Sequence, residues 1–391
     1  MNQIDIECRP ISPLMTSRFG IVSDDAIVSG ECTDVYFVHT DTTLRGEGCN
    51  PHVTVEVTAS SLPHGWGAVC GIADVLSLLD GMPLDVSAMP EGTIFYAGEP
   101  VLRISGKYLD ICKYETSILG FLCHASGVAS AAARLTHIAG VKPIYSFGSR
   151  RQHPAIAGMI ERAAWIGGVA GVSNTCAPSG IPLAGTMPHA LFMCLGSAGA
   201  GWAAFDRHVS PTVPRIYLSD TFCDEKGEAL AAARAGAEAV RLDTPRSRRG
   251  DMRAILEEVR WELDLHGFHA VKIFLSGGVT ESDIVAYRDM VDAFGVGGAI
   301  ANASVIDFSM DIVERHGEPV SKRGKKGGVK QVYLLGDGER ILMPVSSVSP
   351  SGGEALIVPA LTNGQRVAAD TIDMARARLQ DFLCRLPAIN K

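Results

Sequence analysis

Charge is scarce in this chain. Only 20% of its 391 residues are Asp, Glu, Lys or Arg, while 47% are apolar. That balance excludes a disordered, solvating polypeptide and a coiled coil, and leaves enough apolar sequence for large cores. A basic surplus is also missing. There are 35 Lys and Arg against 43 Asp and Glu, a net charge of −8, so a general nucleic-acid binder is disfavoured and any anionic ligand must be held by a local site. No apolar run reaches about 18 residues without Gly, Pro or charge, so no membrane-spanning helix is expected. The opening MNQIDIECRPISPLM is acidic early and lacks an apolar centre, which reads as no secretory signal and a cytoplasmic location. The ten cysteines (Cys8, Cys32, Cys49, Cys70, Cys112, Cys123, Cys176, Cys194, Cys223 and Cys384) include no CxxC pair. They are expected as reduced, mostly buried thiols, with neither a disulfide frame nor a zinc site.

What is abundant is glycine, 42 residues, much of it at the ends of short β-rich runs. Between Pro143 and Ile300 these runs are PIYSFGS (143–149), GVSNT (171–175), PLAGT (182–186), RIYLSDT (215–221), AVRLDT (239–244), VKIFLSGG (271–278) and AFGVGGAI (293–300). Helical patterns separate most of them, such as MRAILEEVRWELDLHG, with Ile255, Leu256, Val259 and Leu263 at helical spacing and Gly267 as a stop. Repeated βα units predict a parallel sheet, either a barrel or an open doubly wound sheet; the poorly written helix after the second run points to an incomplete barrel. Before Pro143, strands (VTVEV, TIFYAG, VLRISGKY) surround a helix, and a long helical stretch runs from about Leu109 to Ala139 with Gly120 and Gly127 as weak points. After Asp307 come the basic loop KRGKKGGVKQ, further strands and a final helix. The expected division is an N-terminal α+β domain over 1–142, a βα-barrel domain over 143–310, and a segment 311–391 packing back on the N-terminal domain.

Sites in βα proteins gather at the carboxyl ends of the strands. LSGG supplies Ser276, Gly277 and Gly278, and GVGG supplies Gly297 and Gly298. Such loops let backbone N–H groups approach a phosphate. Either one alone reads more readily as a tight turn, and two in succession reverse that. Asp220 and Asp243 end successive runs; paired carboxylates there suit Mg²⁺, sugar hydroxyls or a developing cation. The competing reading is helix capping, which stands nearly even for Asp220. FGSRRQHP places Phe147, Arg150, Arg151 and His153 at the first run's end, where Arg forks bind phosphate or carboxylate and Phe147 is either a stacking ring or core. GTMPHA brings Thr186 and His189, a hydroxyl for substrate and an imidazole equally readable as an acid–base group or as a structural histidine. Arg241 lies two residues before Asp243, on the same side of a strand. Arg246, Arg248 and Arg249 read as loop charges or oligomer contacts, and KRGKKGG as a solvated loop ahead of a phosphate patch. This inventory suits a ligand with several phosphates and a centre that becomes positive, such as a phosphorylated sugar diphosphate.

With those residues in place, a resemblance is visible. FGSRRQHPAIAGMIERAAWIGGVAGVSN, GTMPHAL, RLDTPRSRRGDMRAILEEVRWEL, LSGGV and FGVGGAI with DFSMDIVE, together with TDVYF, MPEGTIFYAGEPVLRISGKY, YETSILGFLCHASG and KRGKKGGVKQVY, strongly resemble the nicotinate phosphoribosyltransferase family in its short archaeal and bacterial form. The resemblance covers about Thr33 to Tyr333. It implies a type II phosphoribosyltransferase fold: an α/β sandwich-like N-terminal domain completed by C-terminal strands, beside an irregular, incomplete βα barrel. It further implies condensation of nicotinate with 5-phosphoribosyl 1-pyrophosphate, Mg²⁺, coupling to ATP in many relatives, and a homodimer or multiple of dimers with shared active sites. Quinolinate or another heteroaromatic acid is the alternative substrate, and a non-catalytic ligand sensor a third reading that the presence of both aspartates disfavours. By resemblance, the glycines cradle the 5′-phosphate and Asp220 and Asp243 serve ribose and metal-bound water. Arg150 and Arg241 face pyrophosphate or base, Phe147 stacks on the pyridine, and His189 matches a histidine that ATP can phosphorylate. Tyr36 approaches the partner's site, and Phe19, in PLMTSRF, matches a ring that reaches the neighbour's base. Relatives often carry a cysteine-rich zinc piece after KRGK and an Asp where Ala170 stands; here neither is present, so no zinc is expected.

Overall fold

Alternating β-branched residues and a run of parallel βα units divide this chain into two kinds of sheet, and they separate in space. The computed structural model describes residues 18–247, 250–367 and 370–386. Cys8, Arg248 and Arg249 lie outside them. The chain forms two units, Met1–Ser126 with Val305–Thr371, and Gly127–Ser304 with Ile372–Lys391. These limits differ from the expected breaks at 142 and 310. The first division falls inside the helix Glu115–Ala139, which runs unbroken through Gly120 and Gly127. The last helix, Ile372–Arg385, belongs with the second unit. Its buried stripe of Ala375, Leu379 and Leu383 needs cover, and Arg376 stacks 3.8 Å over the Trp165 ring while donating to the Gly168 carbonyl (3.2 Å).

The first unit is built on a seven-stranded antiparallel sheet in the spatial order Glu318–Pro319, Phe308–Arg315, His52–Ala59, Pro100–Lys107, Asp85–Ala88, Val358–Thr362, Gln365–Arg366. C-terminal strands thus complete an N-terminal sheet. Val53, Val55, Val57 and Ala59 point into its core with Leu102, Ile104 and Met310. On the other face the buried Glu56 takes Lys330 at 2.8 Å and Arg103 at 3.5 Å. The helical stretch Tyr108–Ala139 is long and apolar enough, by length and composition, to cross a membrane, contrary to the expectation of no such segment. Its most apolar 18 residues are 61% buried within the protein, as in the core helix of a folded domain.

The second unit holds six parallel strands: first Ile144–Ser146, second Gly171–Val172, third Ile216–Leu218, fourth Ala239–Leu242, fifth Lys272–Leu275 and sixth Ala293–Val296. Their order is second, first, sixth, fifth, fourth, third, a curled half-barrel open between the second and third. The expected strand PLAGT does not form. Pro182 has no N–H to give a ladder, so this segment contributes one isolated bridge, Leu183 to Val172. The helix Met252–Leu265 ends before Gly267, as its spacing predicts.

Nine cysteines are described and all are free thiols, but only Cys70 and Cys112 are buried; Cys176, Cys194, Cys223 and Cys384 are exposed, a correction to the expected burial.

In the first unit, burial pushes the Glu115 carboxyl up to about 7, helped by Asp311 and Asp34 and opposed by Lys322. The folded chain therefore holds a proton that the unfolded chain releases near the ordinary carboxylate value. Its stabilising effect is complete in acid and is lost as pH rises through about 7. Glu115→Gln is expected to raise Tm at pH 8 and leave it unchanged at pH 4.5, measured by scanning calorimetry.

Candidate active site

The loops after the barrel strands enclose a cavity of about 690 Å³. It is lined by Phe147, Arg150 and Arg151 from the first strand's end, Ser173 from the second, and Thr186, Met187, Pro188 and His189 from the segment before the helix His189–Leu195. Arg241 and Asp243 come from the fourth strand's end, Ser276, Gly277 and Gly278 from the fifth, and Gly295, Gly297 and Gly298 from the sixth. The carboxyl-end rule therefore collects twelve of the residues singled out from the sequence onto one surface.

Two glycines are dictated by geometry. Gly277 has φ +87°, and a Cβ there would stand 2.8 Å from the backbone of Asp243. At Gly295 a Cβ would meet the Phe147 ring at 2.5 Å, so only glycine lets that ring lie against the sixth strand. Phe147 runs nearly parallel to Phe274 (centroids 5.9 Å apart, 12° between planes), and Phe274 stacks in turn on Tyr145 at 5.5 Å. The N–H groups of Gly277, Gly278, Gly297 and Gly298 donate to no acceptor among the described residues, which leaves a run of backbone donors on the cavity wall. Ser276 is different. Its N–H and hydroxyl both donate to the Leu242 carbonyl, at 2.8 and 3.2 Å, so its side chain fastens the fifth strand to the fourth.

The two aspartates are not equivalent. Asp220 is 2% exposed and sits behind the cavity wall; Asp243, 34% exposed, faces the cavity. One oxygen of Asp220 accepts the Asp243 N–H (2.5 Å) and the Thr244 hydroxyl (2.8 Å). The other oxygen is buried without a hydrogen-bond partner, and burial raises the pKa of this carboxyl against the lowering effect of its donors. The helix-cap reading of Asp220 fails, because the following helix Glu225–Arg234 is capped by Asp224, whose side chain accepts the Gly227 N–H at 2.8 Å. His189 Nε2 lies 3.8 Å from Asp220 Oδ1 and 4.0 Å from Asp243 Oδ2.

A second chamber, about 500 Å³, adjoins the first and shares Phe147, Ser173, Gly185, Thr186 and Arg241 with it. Tyr145, Phe274, Ile216 and Pro214 make it largely apolar, and Arg241 is the one charged residue among those lining it. Burial lowers the Arg241 pKa against the pull of Asp243 and Asp220. Its Nη2 donates to the Met187 carbonyl (2.8 Å), while its Nε and the Thr186 hydroxyl are buried with no partner. Arg150 and Arg151 are exposed on the larger cavity and form no ion pair among the described residues.

Besides Asp220, three residues singled out from the sequence are not part of this wall. His153 turns back to accept the Ala155 N–H at 3.2 Å and caps its own turn. Phe19 and Tyr36 belong to the first unit. Both are exposed; Arg18 lies over the Phe19 ring, and the Tyr36 hydroxyl donates to Asp34 at 3.2 Å. The sequence reading passed over Ser173, Met187 and Gly295, and the chamber as a whole, because inward-pointing strand residues such as Tyr145 and Phe274 look like ordinary core.

Comparison with known proteins bears on this architecture. Residues 34–126 match the family model described as quinolinate phosphoribosyl transferase, N-terminal domain, and residues 128–311 match its C-terminal domain. The chain belongs to the quinolinate phosphoribosyl transferase family. It is 31% identical to a nicotinate phosphoribosyltransferase of Mycobacterium tuberculosis over 88% of each chain. The crystal structure of nicotinate-nucleotide pyrophosphorylase from Pyrococcus furiosus superimposes with a TM-score of 0.91 at 47% identity, over 94% of this chain and 98% of that one. Human nicotinic acid phosphoribosyltransferase shares the fold, with a TM-score of 0.75 at 20% identity, over 91% and 94% of the two chains.

Gly277→Ala would force a side chain into positive φ against the Asp243 backbone. It is expected to cost roughly 1–3 kcal/mol, read as a lowered urea midpoint. Gly278→Ala, at φ +74° but facing open space, should cost less.

Proposed function

We propose that this phosphoribosyltransferase joins nicotinate to 5-phosphoribosyl 1-pyrophosphate, releasing pyrophosphate and forming nicotinate mononucleotide. The observation that carries this reading is the pair of unpartnered donors, Arg241 Nε and the Thr186 hydroxyl, on the wall of an aromatic chamber with one cation. A flat aromatic acid with a single carboxylate satisfies both donors and neutralises the arginine. An uncharged amide would bring no charge to the arginine, whose burial outweighs the pull of the two aspartates, and a second carboxylate would enter the chamber without a cation of its own. The M. tuberculosis relative's name agrees. Quinolinate is the second reading, favoured by the family models' descriptions, and the exposed Arg150 and Arg151 would then have to serve the extra acid group.

The chemistry follows from the residues. The pyridine nitrogen is already nucleophilic and needs no strong base. As the C1–O bond to pyrophosphate breaks, C1 of the ribose becomes positive, and Asp243, facing the cavity, stabilises it. The glycine N–H groups hold the 5′-phosphate, and Arg150 and Arg151 compensate the phosphate charge. Asp243 on the cavity, with the unpartnered oxygen of Asp220 directly behind its wall, forms a donor set that would fit Mg²⁺, which takes one or two protein carboxylates and completes its shell with water and phosphate. Among the described residues no cluster of three or more His, Cys, Asp or Glu forms a metal cage, as such a shared site does not need one. Mg²⁺, when bound, supplies neutralisation of the leaving pyrophosphate.

The test is product formation from nicotinate, nicotinamide or quinolinate with the ribosyl donor, with and without Mg²⁺ and ATP. Nicotinate is expected to give the highest kcat/KM; a higher value for quinolinate would transfer the assignment to the second reading. Asp243→Asn is expected to lower kcat by about a thousandfold with the melting temperature retained. Arg241→Lys, which loses the fork, is expected to raise KM for nicotinate by about tenfold and leave KM for the ribosyl donor unchanged.

A further inference from the structure

His189 is supported by two residues that do not line the cavity, Thr221 and Glu228. Glu228, buried in the helix Glu225–Arg234, accepts three successive backbone N–H groups: Thr221 at 2.7 Å, Phe222 at 2.7 Å and Cys223 at 3.2 Å. The turn after the third strand is thus wrapped around an internal carboxylate, as a backbone nest wraps around an anion. This clamp fixes Thr221, whose hydroxyl lies 3.0 Å from His189 Nδ1. The opposite ring nitrogen faces Asp220 and Asp243 at 3.8 and 4.0 Å. A lone pair on Nε2 would be repelled by two carboxylates, whereas an N–H there is attracted. With the proton on Nε2, Nδ1 is an acceptor, and the Thr221 hydroxyl is the donor that satisfies it.

We infer that Glu228 and Thr221 are positioning residues that hold His189 in its Nε2–H form, directed at the Asp220–Asp243 pair. The kinetic side of this inference rests on the phosphoribosyl-transfer reading above; the structural side does not. Thr221 acts on the reaction through the imidazole, so its contribution should vanish when the imidazole is absent. A role confined to loop stability would persist.

The experiment uses the full chain with ¹⁵N-labelled histidine, the His189 ring signals being assigned by their loss in His189→Ala. The expected wild-type spectrum at pH 8 shows a protonated Nε2 and an unprotonated Nδ1. Thr221→Val and Glu228→Gln should each give a mixture of tautomers, and Thr221→Ser should restore the wild-type pattern. A wild-type ring protonated on Nδ1 or on both nitrogens, or one unmoved by Thr221→Val, overturns the inference; one unmoved by Glu228→Gln removes Glu228 from it. In turnover, Thr221→Val is expected to lower kcat about tenfold with both KM values changed less than about twofold, the size typical of losing an orienting hydrogen bond. In a His189→Ala background it should add nothing. An equal loss in both backgrounds would mark a structural role and overturn the inference. If no pyridine acid is turned over, the functional reading of this site fails; if His189→Ala retains the wild-type rate, the kinetic side of the inference is overturned; in either case the ring spectrum alone decides whether Thr221 and Glu228 set the imidazole.

Discussion

Asp220 accepts the Asp243 N–H and the Thr244 hydroxyl through a single oxygen, and the polar arrangement of the barrel mouth depends on that link between the ends of the third and fourth strands. It holds the Asp243 backbone where Gly277, lacking a Cβ, can pass within van der Waals range. It also presents the remaining carboxylate oxygen toward His189. The charge at this mouth is therefore not a set of independent side chains. It is a frame in which one buried acid fixes the backbone of another that meets the cavity.

That frame carries a stability cost. The second Asp220 oxygen, Arg241 Nε and the Thr186 hydroxyl are all buried without partners. Each such group forfeits about 1–3 kcal/mol relative to a satisfied one. Two other buried acids near the barrel mouth are satisfied: Glu228 by three N–H groups and Asp283 by the capping box at Thr280. Arg241 and Thr186 both line the apolar chamber, where a bound ligand could complete their hydrogen bonds.

Much of the architecture was legible in the sequence, for identifiable reasons. Short β-rich runs ending in Gly, Ser or Asp mark parallel strands whose ends converge, and six of the seven became strands. The seventh, PLAGT, matched in composition but not in hydrogen-bonding capacity, because Pro182 cannot donate. The different duties of Asp220 and Asp243 were hidden, since both end similar Asp-Thr motifs and burial is decided by neighbours distant in sequence. His153 looked like a ligand residue at a strand end, yet its own backbone two residues on provides a nearer partner. Glu228 was invisible as an anion in a nest, because its position within an alanine-rich helix suggests an exposed charge. The final helix was assigned to the wrong unit because sequence distance does not report which apolar stripe needs covering.

A closed eight-stranded barrel fills its interior with side chains and has no room to spare. This one stops at six, and the absent rungs leave a hollow of about 500 Å³ bordered by Pro182–Thr186 and Thr212–Pro214, segments that belong to no strand. The hollow is thereby separated from the ladder that supports the acids. Replacements along those two borders can resize or repaint the hollow while the strand ends bearing Asp220 and Asp243 keep their register, so that on the proposed reading a different aromatic acid is admitted without moving the carboxylates.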